Sequence, residues 1–194
     1  MKIINNLISY SLVLFFLYAC APAQIVGTGA GSAMVIAEGE RSMGSVIDDA
    51  TIKVNIAAKF ISSEDNLFVD VSTTVLNGRV LLTGLVDNQE IRIDAVRRVW
   101  EVDGVKEVIN EIQIGNRATL KEYANDLWIN TQAKGLAAKT VGLRVVGYNF
   151  ETIQGKVYIA GITSRPKQLE DLIDAVKTIK GVKEIVNYVI IKEN

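Results

Sequence analysis

The chain has 194 residues, 49% of them hydrophobic, with a formal net charge of −1. That composition can build packed cores and carries no basic field for nucleic acid. It contains no histidine and one cysteine. The commonest general base and metal ligand is therefore missing, and neither an intrachain disulfide nor a zinc cluster can form.

The chain starts Met1-Lys2 and turns apolar from about Leu7 to Leu17. That run is too short to cross a bilayer as a helix but suits a signal-peptide core. It ends in Leu17-Tyr18-Ala19-Cys20, which resembles the lipobox of bacterial lipoproteins. The resemblance implies that residues 1–19 are cut off and that Cys20 carries lipid. A thiol is a good nucleophile for the acyl donor, and several buried acyl chains anchor a soluble domain stably. The competing reading is an ordinary signal peptide followed by an unmodified cysteine. Residues 20–44 read as a flexible tether, since Gly27 to Ala33 is all small residues with no core-forming period. The alternative is a weak apolar segment lying on the bilayer.

The remainder is duplicated. Asn77-Gly78-Arg79-Val80 is matched by Gln154-Gly155-Lys156-Val157, Gly84 by Gly161, and Gly104-Val105-Lys106-Glu107-Val108 by Gly181-Val182-Lys183-Glu184-Ile185, always 77 residues apart. A constant offset of that length signals two copies of a small domain, 45–116 and 117–194, rather than a solenoid.

Each copy reads α-β-β-α-β. In the first, Asp48 or Asp49 is expected to cap a helix with the stripe Ile52 and Ile56. Phe68 to Val75 alternates as a strand, Asn77-Gly78 makes a hairpin turn, and Val80 to Val86 returns. A helix from about Asn88 buries Ala95, Val96, Val99 and Val102, Gly104 ends it, and Val105 to Ile114 is the last strand. In the second copy Asp126 is the expected cap, with strands at about 143–152 and 156–162, a helix at about 165–180 and a strand at 182–191. The expected fold class is α+β, a three-stranded mixed sheet packed against two helices, twice.

The paired hairpin and glycine-valine motifs resemble the BON domain. A lipobox followed by two copies is similar to dual-BON outer-membrane lipoproteins of the DolP type. Arg41-Ser42-x-Gly44 and Asn125-Asp126-x-Trp128-Ile129 add to the match. The resemblance implies a periplasm-facing protein of the outer membrane that maintains envelope integrity and needs no cofactor. It implies anionic phospholipid binding through the first helix of the second domain, with an aromatic residue at Trp128. It also implies association with outer-membrane assembly or division proteins.

Charge bears on that expectation. From Ser45 to Asn116 there are 7 Lys+Arg against 12 Asp+Glu; from Leu120 to Asn194 there are 11 against 8. The second copy is the one suited to anionic lipid, although drift of surface charge would give the same swing. With Ile129, Ala133 and Leu136 as the core stripe, Trp128 falls about 100° around the helix and near the surface. Packing of Trp128 on the first domain or the tether is the alternative. Leu127 and Trp128 are the candidate inserting residues, with Lys134 and Lys139 for headgroups. Gly135 weakens this helix. Trp100 is expected to pack at a domain edge. No constellation of residues points to catalysis, and Asp48-Asp49 and Glu170-Asp171 read as solvating or capping acids.

Overall fold

The computed structural model describes residues 41–116 and 119–192. The expected signal sequence, Cys20 and the expected tether up to residue 40 lie outside the described residues.

The first domain runs α1 (Met43–Ile61), α2 (Leu67–Asp70), β1 (Val71–Leu76), β2 (Arg79–Val86), α3 (Gln89–Trp100) and β3 (Glu107–Ile114). The second runs α4 (Leu120–Val141), a 3-10 helix (Gly142–Gly147), β4 (Tyr148–Ile153), β5 (Lys156–Thr163), α5 (Pro166–Lys177) and β6 (Glu184–Ile191). Each sheet is mixed. The hairpin strands β1 and β2 are antiparallel, and α3 crosses over to bring β3 parallel beside β2; the second sheet repeats this order. This is the α+β architecture the sequence implies.

The helix starts correct one expectation. The first helix of each copy begins six residues ahead of the aspartate, at caps that are themselves repeat equivalents: Ser42 accepts from the Ser45 amide and Thr119 from the Glu122 amide, the latter in a full capping box. Asp49 and Asp126 are buried within their helices. Asp49 accepts the Asn77 and Gly78 amides at 2.7 and 2.8 Å, and Asp126 accepts those of Gln154 and Gly155 at 2.6 and 2.8 Å. The same carboxylate that suits a helix cap satisfies the hairpin turn instead. Those turns have positive φ at both residues and leave two N–H groups pointing inward.

Two further boundaries differ. Phe68 to Asp70 forms the short helix α2 rather than the start of β1, and 142–147 is a 3-10 helix ahead of β4. Trp100 is exposed rather than packed.

Each sheet covers a core on its helical side. Ile52, Ile56, Phe60, Val80, Leu82, Ala95 and Val99 fill the first, and Ile129, Ala133, Ala137, Val157, Ile159, Leu172 and Val176 the second. Each fully buried Ile or Leu contributes roughly 1.5–3 kcal/mol. The opposite sheet faces pack on one another. Leu76, Leu81 and Ala160 form a buried cluster there, with Ile109 and Tyr188 against it. The result is four layers, α/β/β/α, which explains why β2 and β5 are apolar on both faces instead of alternating.

This contact is pseudo-twofold. β2 meets β4 as β1 meets β5. Glu111 and Tyr188, equivalent positions of the two copies, hydrogen-bond each other at 2.5 Å. Lys156 lies 3.5 Å from Glu111, and the Gln113 amide donates to the Tyr158 hydroxyl at 3.2 Å. Burial first, and then the Glu111 carboxylate, push the Tyr188 phenol up to about 12.

Candidate functional site

Helix α4 carries all four candidate lipid-contacting residues, and its geometry follows from which side it buries. Asp126, Ile129, Ala133, Ala137 and Val141 face inward. Leu136, expected in that stripe, is only partly buried. At about 100° per residue, the side facing away from the domain runs through Leu120, Ala124, Thr131, Gly135 and Ala138. All five are exposed, Leu120 at 85%. This strip is uncharged along its whole length.

Trp128 is 47% exposed and borders the strip on one edge, beside the exposed Lys121 and Lys139. Leu127 and Lys134, also exposed, border it on the other, with Tyr123. The four residues therefore do not form one cluster. Leu127 with Lys134, and Trp128 with Lys139, are two pairs about 100° apart on either side of an uncharged ridge. Acidic residues are kept off the ridge: Glu122 is turned back onto the Thr119 cap, and Asp126 is buried on the hairpin turn. The outer side of α4 is thus uncharged along its middle and edged by lysines and one aromatic ring.

Leu127 also lines a cleft of about 590 Å³ between the domains. Phe68 and Val69 of α2 line it together with Leu120, Tyr123 and Leu127 of α4 and with Asn130, Glu151 and Thr152. Burial raises the Glu151 carboxyl above its ordinary value, opposed by the hydrogen bond from the Ser72 hydroxyl and by Lys134 and Lys53. Leu120, Lys121 and Tyr123 went unnoticed in the sequence because the helix was expected to begin at Asp126. The i, i+3 and i+7 spacing of Leu120, Tyr123 and Leu127 was the available signal. Among the described residues no helix is long and apolar enough to cross a membrane, and no acidic, cysteine or histidine cluster could hold a metal.

These features define a tandem of two small α+β domains. The BON domain family matches residues 48–116 and 125–193, and the chain belongs to that family, as a dual-BON protein of the DolP type. It is 38% identical to an uncharacterized protein from the gshII 5′ region of Anaplasma centrale, over 76% of this chain and 97% of that one. It is 29% identical to the outer membrane lipoprotein DolP of Haemophilus influenzae over 88% of each chain. It is 26% identical to the osmotically-inducible protein Y of Escherichia coli, over 88% of this chain and 85% of that one. BON and DolP-like proteins are non-enzymatic families.

Proposed function

We propose that this chain is a lipid-anchored envelope protein of the outer membrane, facing the periplasm, that binds anionic phospholipid through its second BON domain and supports outer-membrane integrity. The observation that carries the reading is the outer side of α4: an uncharged ridge with Trp128 half-exposed on one edge and lysines on both. Cys20 holds the protein on the membrane, and α4 adds a weaker, lipid-selective contact. Each lysine near an anionic surface contributes about 1 kcal/mol, and the ridge with Trp128 supplies the apolar part.

The test is co-sedimentation of the unacylated chain with vesicles of phosphatidylcholine alone or mixed with phosphatidylglycerol. Binding is expected only to the anionic vesicles, reduced at least tenfold by Trp128→Glu and several-fold by Lys134→Glu or Lys139→Glu. Equal binding to both vesicles, unchanged by Trp128→Glu, would sink the idea. For the anchor, Cys20→Ser is expected to release the chain from membranes.

The interdomain cleft favours a second reading, a scaffold for an outer-membrane assembly or division protein, since Phe68, Val69, Leu120 and Tyr123 leave apolar surface exposed on both its walls. In-cell photocrosslinking from position 68 discriminates: a defined protein adduct supports the scaffold.

A further inference from the structure

The cleft between the domains is lined by polar groups that the fold leaves without partners. Phe68, Val69, Leu120, Tyr123 and Leu127 line it with apolar side chains that are 55–85% exposed. Thr152, by contrast, is 5% exposed, and Asn130 and Glu151 are partly buried. The Thr152 hydroxyl oxygen and the Asn130 side-chain oxygen are buried and have no hydrogen-bond partner. Buried polar atoms are almost always paired, so two orphans in one cleft require an explanation.

The two orphans are neighbours. Asp126, near the start of α4, accepts the amides of Gln154 and Gly155 at the end of β4. From that contact Asn130 lies one turn along α4, about 6 Å, and Thr152 two residues back along β4, about 7 Å, in the same direction. Glu151 leaves β4 on the other face and still lines the cleft, because β4 is the edge strand of its sheet. It accepts from the Ser72 hydroxyl at 3.3 Å. Burial, helped by Asp126, raises its carboxyl above the ordinary value in spite of that bond and of Lys134 and Lys53. Its charge is therefore short of compensation.

The fold does not need these polar groups. At the equivalent places the first copy has Val75 for Thr152, Thr74 for Glu151 and Lys53 for Asn130, and Val75 packs in the apolar core. Valine has nearly the shape of threonine and would leave no hydroxyl unpaired.

We infer that the cleft binds the head of a zwitterionic amphiphile, a primary ammonium and a phosphate carried on apolar chains. The ammonium donates to the Glu151 carboxylate and the Asn130 oxygen, and a phosphate oxygen accepts from the Thr152 hydroxyl. Lys134 and Lys53 balance the phosphate, and the exposed apolar liners receive the chains. The cleft volume of about 590 Å³ lies within the range of small-molecule sites, ~300–1,000 Å³. This contact is separate from the one proposed for the outer side of α4, which takes anionic lipid and needs no N–H donor.

The experiment is calorimetric titration of the full unacylated chain with dihexanoyl phosphatidylethanolamine, below the concentration at which it forms micelles. Dihexanoyl phosphatidylcholine has the same chains and a cation without N–H groups; dihexanoyl phosphatidylglycerol has no cation. Phosphatidylethanolamine is expected to bind at least tenfold more tightly than either. Glu151→Gln should weaken it at least tenfold and Thr152→Val several-fold, whereas Trp128→Glu leaves it unchanged. A far-ultraviolet melt no lower than the parent's shows that the cleft variants fold. Equal binding of phosphatidylcholine, or binding that survives both cleft substitutions, overturns the inference. So does hexylammonium binding as tightly as the lipid, since an ammonium alone is what a partner protein's lysine would present. Loss with Trp128→Glu overturns it too, by placing the lipid on the outer side of α4. If the cleft fails these tests while anionic vesicles still bind, the reading of α4 stands without it.

Discussion

The two domains agree inside and disagree outside. Asp49 and Asp126 tie helix to hairpin with the same pair of hydrogen bonds, and the glycines of both turns sit against the backbone of Gly104 and Gly181. The outer sides of α1 and α4, by contrast, share only their register. Met43, Ile47, Ala50, Val54, Ala57 and Ile61 correspond to Leu120, Ala124, Leu127, Thr131, Lys134 and Ala138. One side is an exposed apolar stripe, the other an uncharged strip with lysines at its edges. Buried amides must find partners and buried side chains must fit, so the interior tolerates little change. The outer faces carry no such demand, and that is where the copies diverge.

The largest effect tests the shared interior. Asp49→Ala and Asp126→Ala each strand two inward-facing amides and should cost on the order of 3 kcal/mol by urea denaturation. Asp49 also pairs with Arg41, whereas the repeat-equivalent position is Ala118, so Asp49→Ala is expected to be the worse of the two. A loss below 1 kcal/mol in either would break the equivalence.

Next comes the contact between the copies. Tyr188→Phe removes the bond to the Glu111 carboxylate and should cost about 1.5 kcal/mol. The Tyr188 phenol is raised from 10 to about 12 in the fold. The folded state therefore keeps the proton longer than the unfolded one, and stability falls as pH climbs from 10 towards 12. Denaturation midpoints at pH 9 and 11 should differ more for the parent than for Tyr188→Phe.

Glu151 gives a smaller effect of the same sign. Its folded value is raised by burial, so its contribution is favourable at low pH and is lost as pH rises from the ordinary glutamate value of 4.5 through the raised one. The first copy has Thr74 at this place. Glu151→Gln should raise the denaturation midpoint at pH 7 and leave it little changed at pH 4; a lower midpoint at pH 7 would show that the charge is favourable there.

The smallest effect makes α4 more like α1. A Cβ on Gly135 would meet nothing within 4 Å, and its counterpart is Ala58. Gly135→Ala should add about 0.5 kcal/mol and leave lipid binding intact.

The duplication, the hairpins and most of the core were legible in the sequence, because glycine punctuation and apolar periodicity are local signals. So was the surface position of Trp128, from its angle to Ile129 and Ala133. The role of Asp49 and Asp126 was not. A carboxylate ahead of an apolar stripe suits both a cap and a turn anchor, and only the hairpin 28 residues further on separates the two. Misplacing that cap hid Leu120, Lys121 and Tyr123, and with them the division of the α4 residues into two edges. The face-to-face packing of the sheets left a trace, the unbroken apolar run from Val157 to Ala160, whose meaning depends on a partner far along the chain.

The bond between Glu111 and Tyr188 has a consequence for why the copies travel together. A lone domain mating with an identical twin across this axis would set acid against acid, or phenol against phenol. Joined in tandem, unlike halves meet instead, and each proton donor finds an acceptor. Covalent connection also frees the pair from dilution, so however sparse the protein becomes in the envelope, each half keeps its complement within reach.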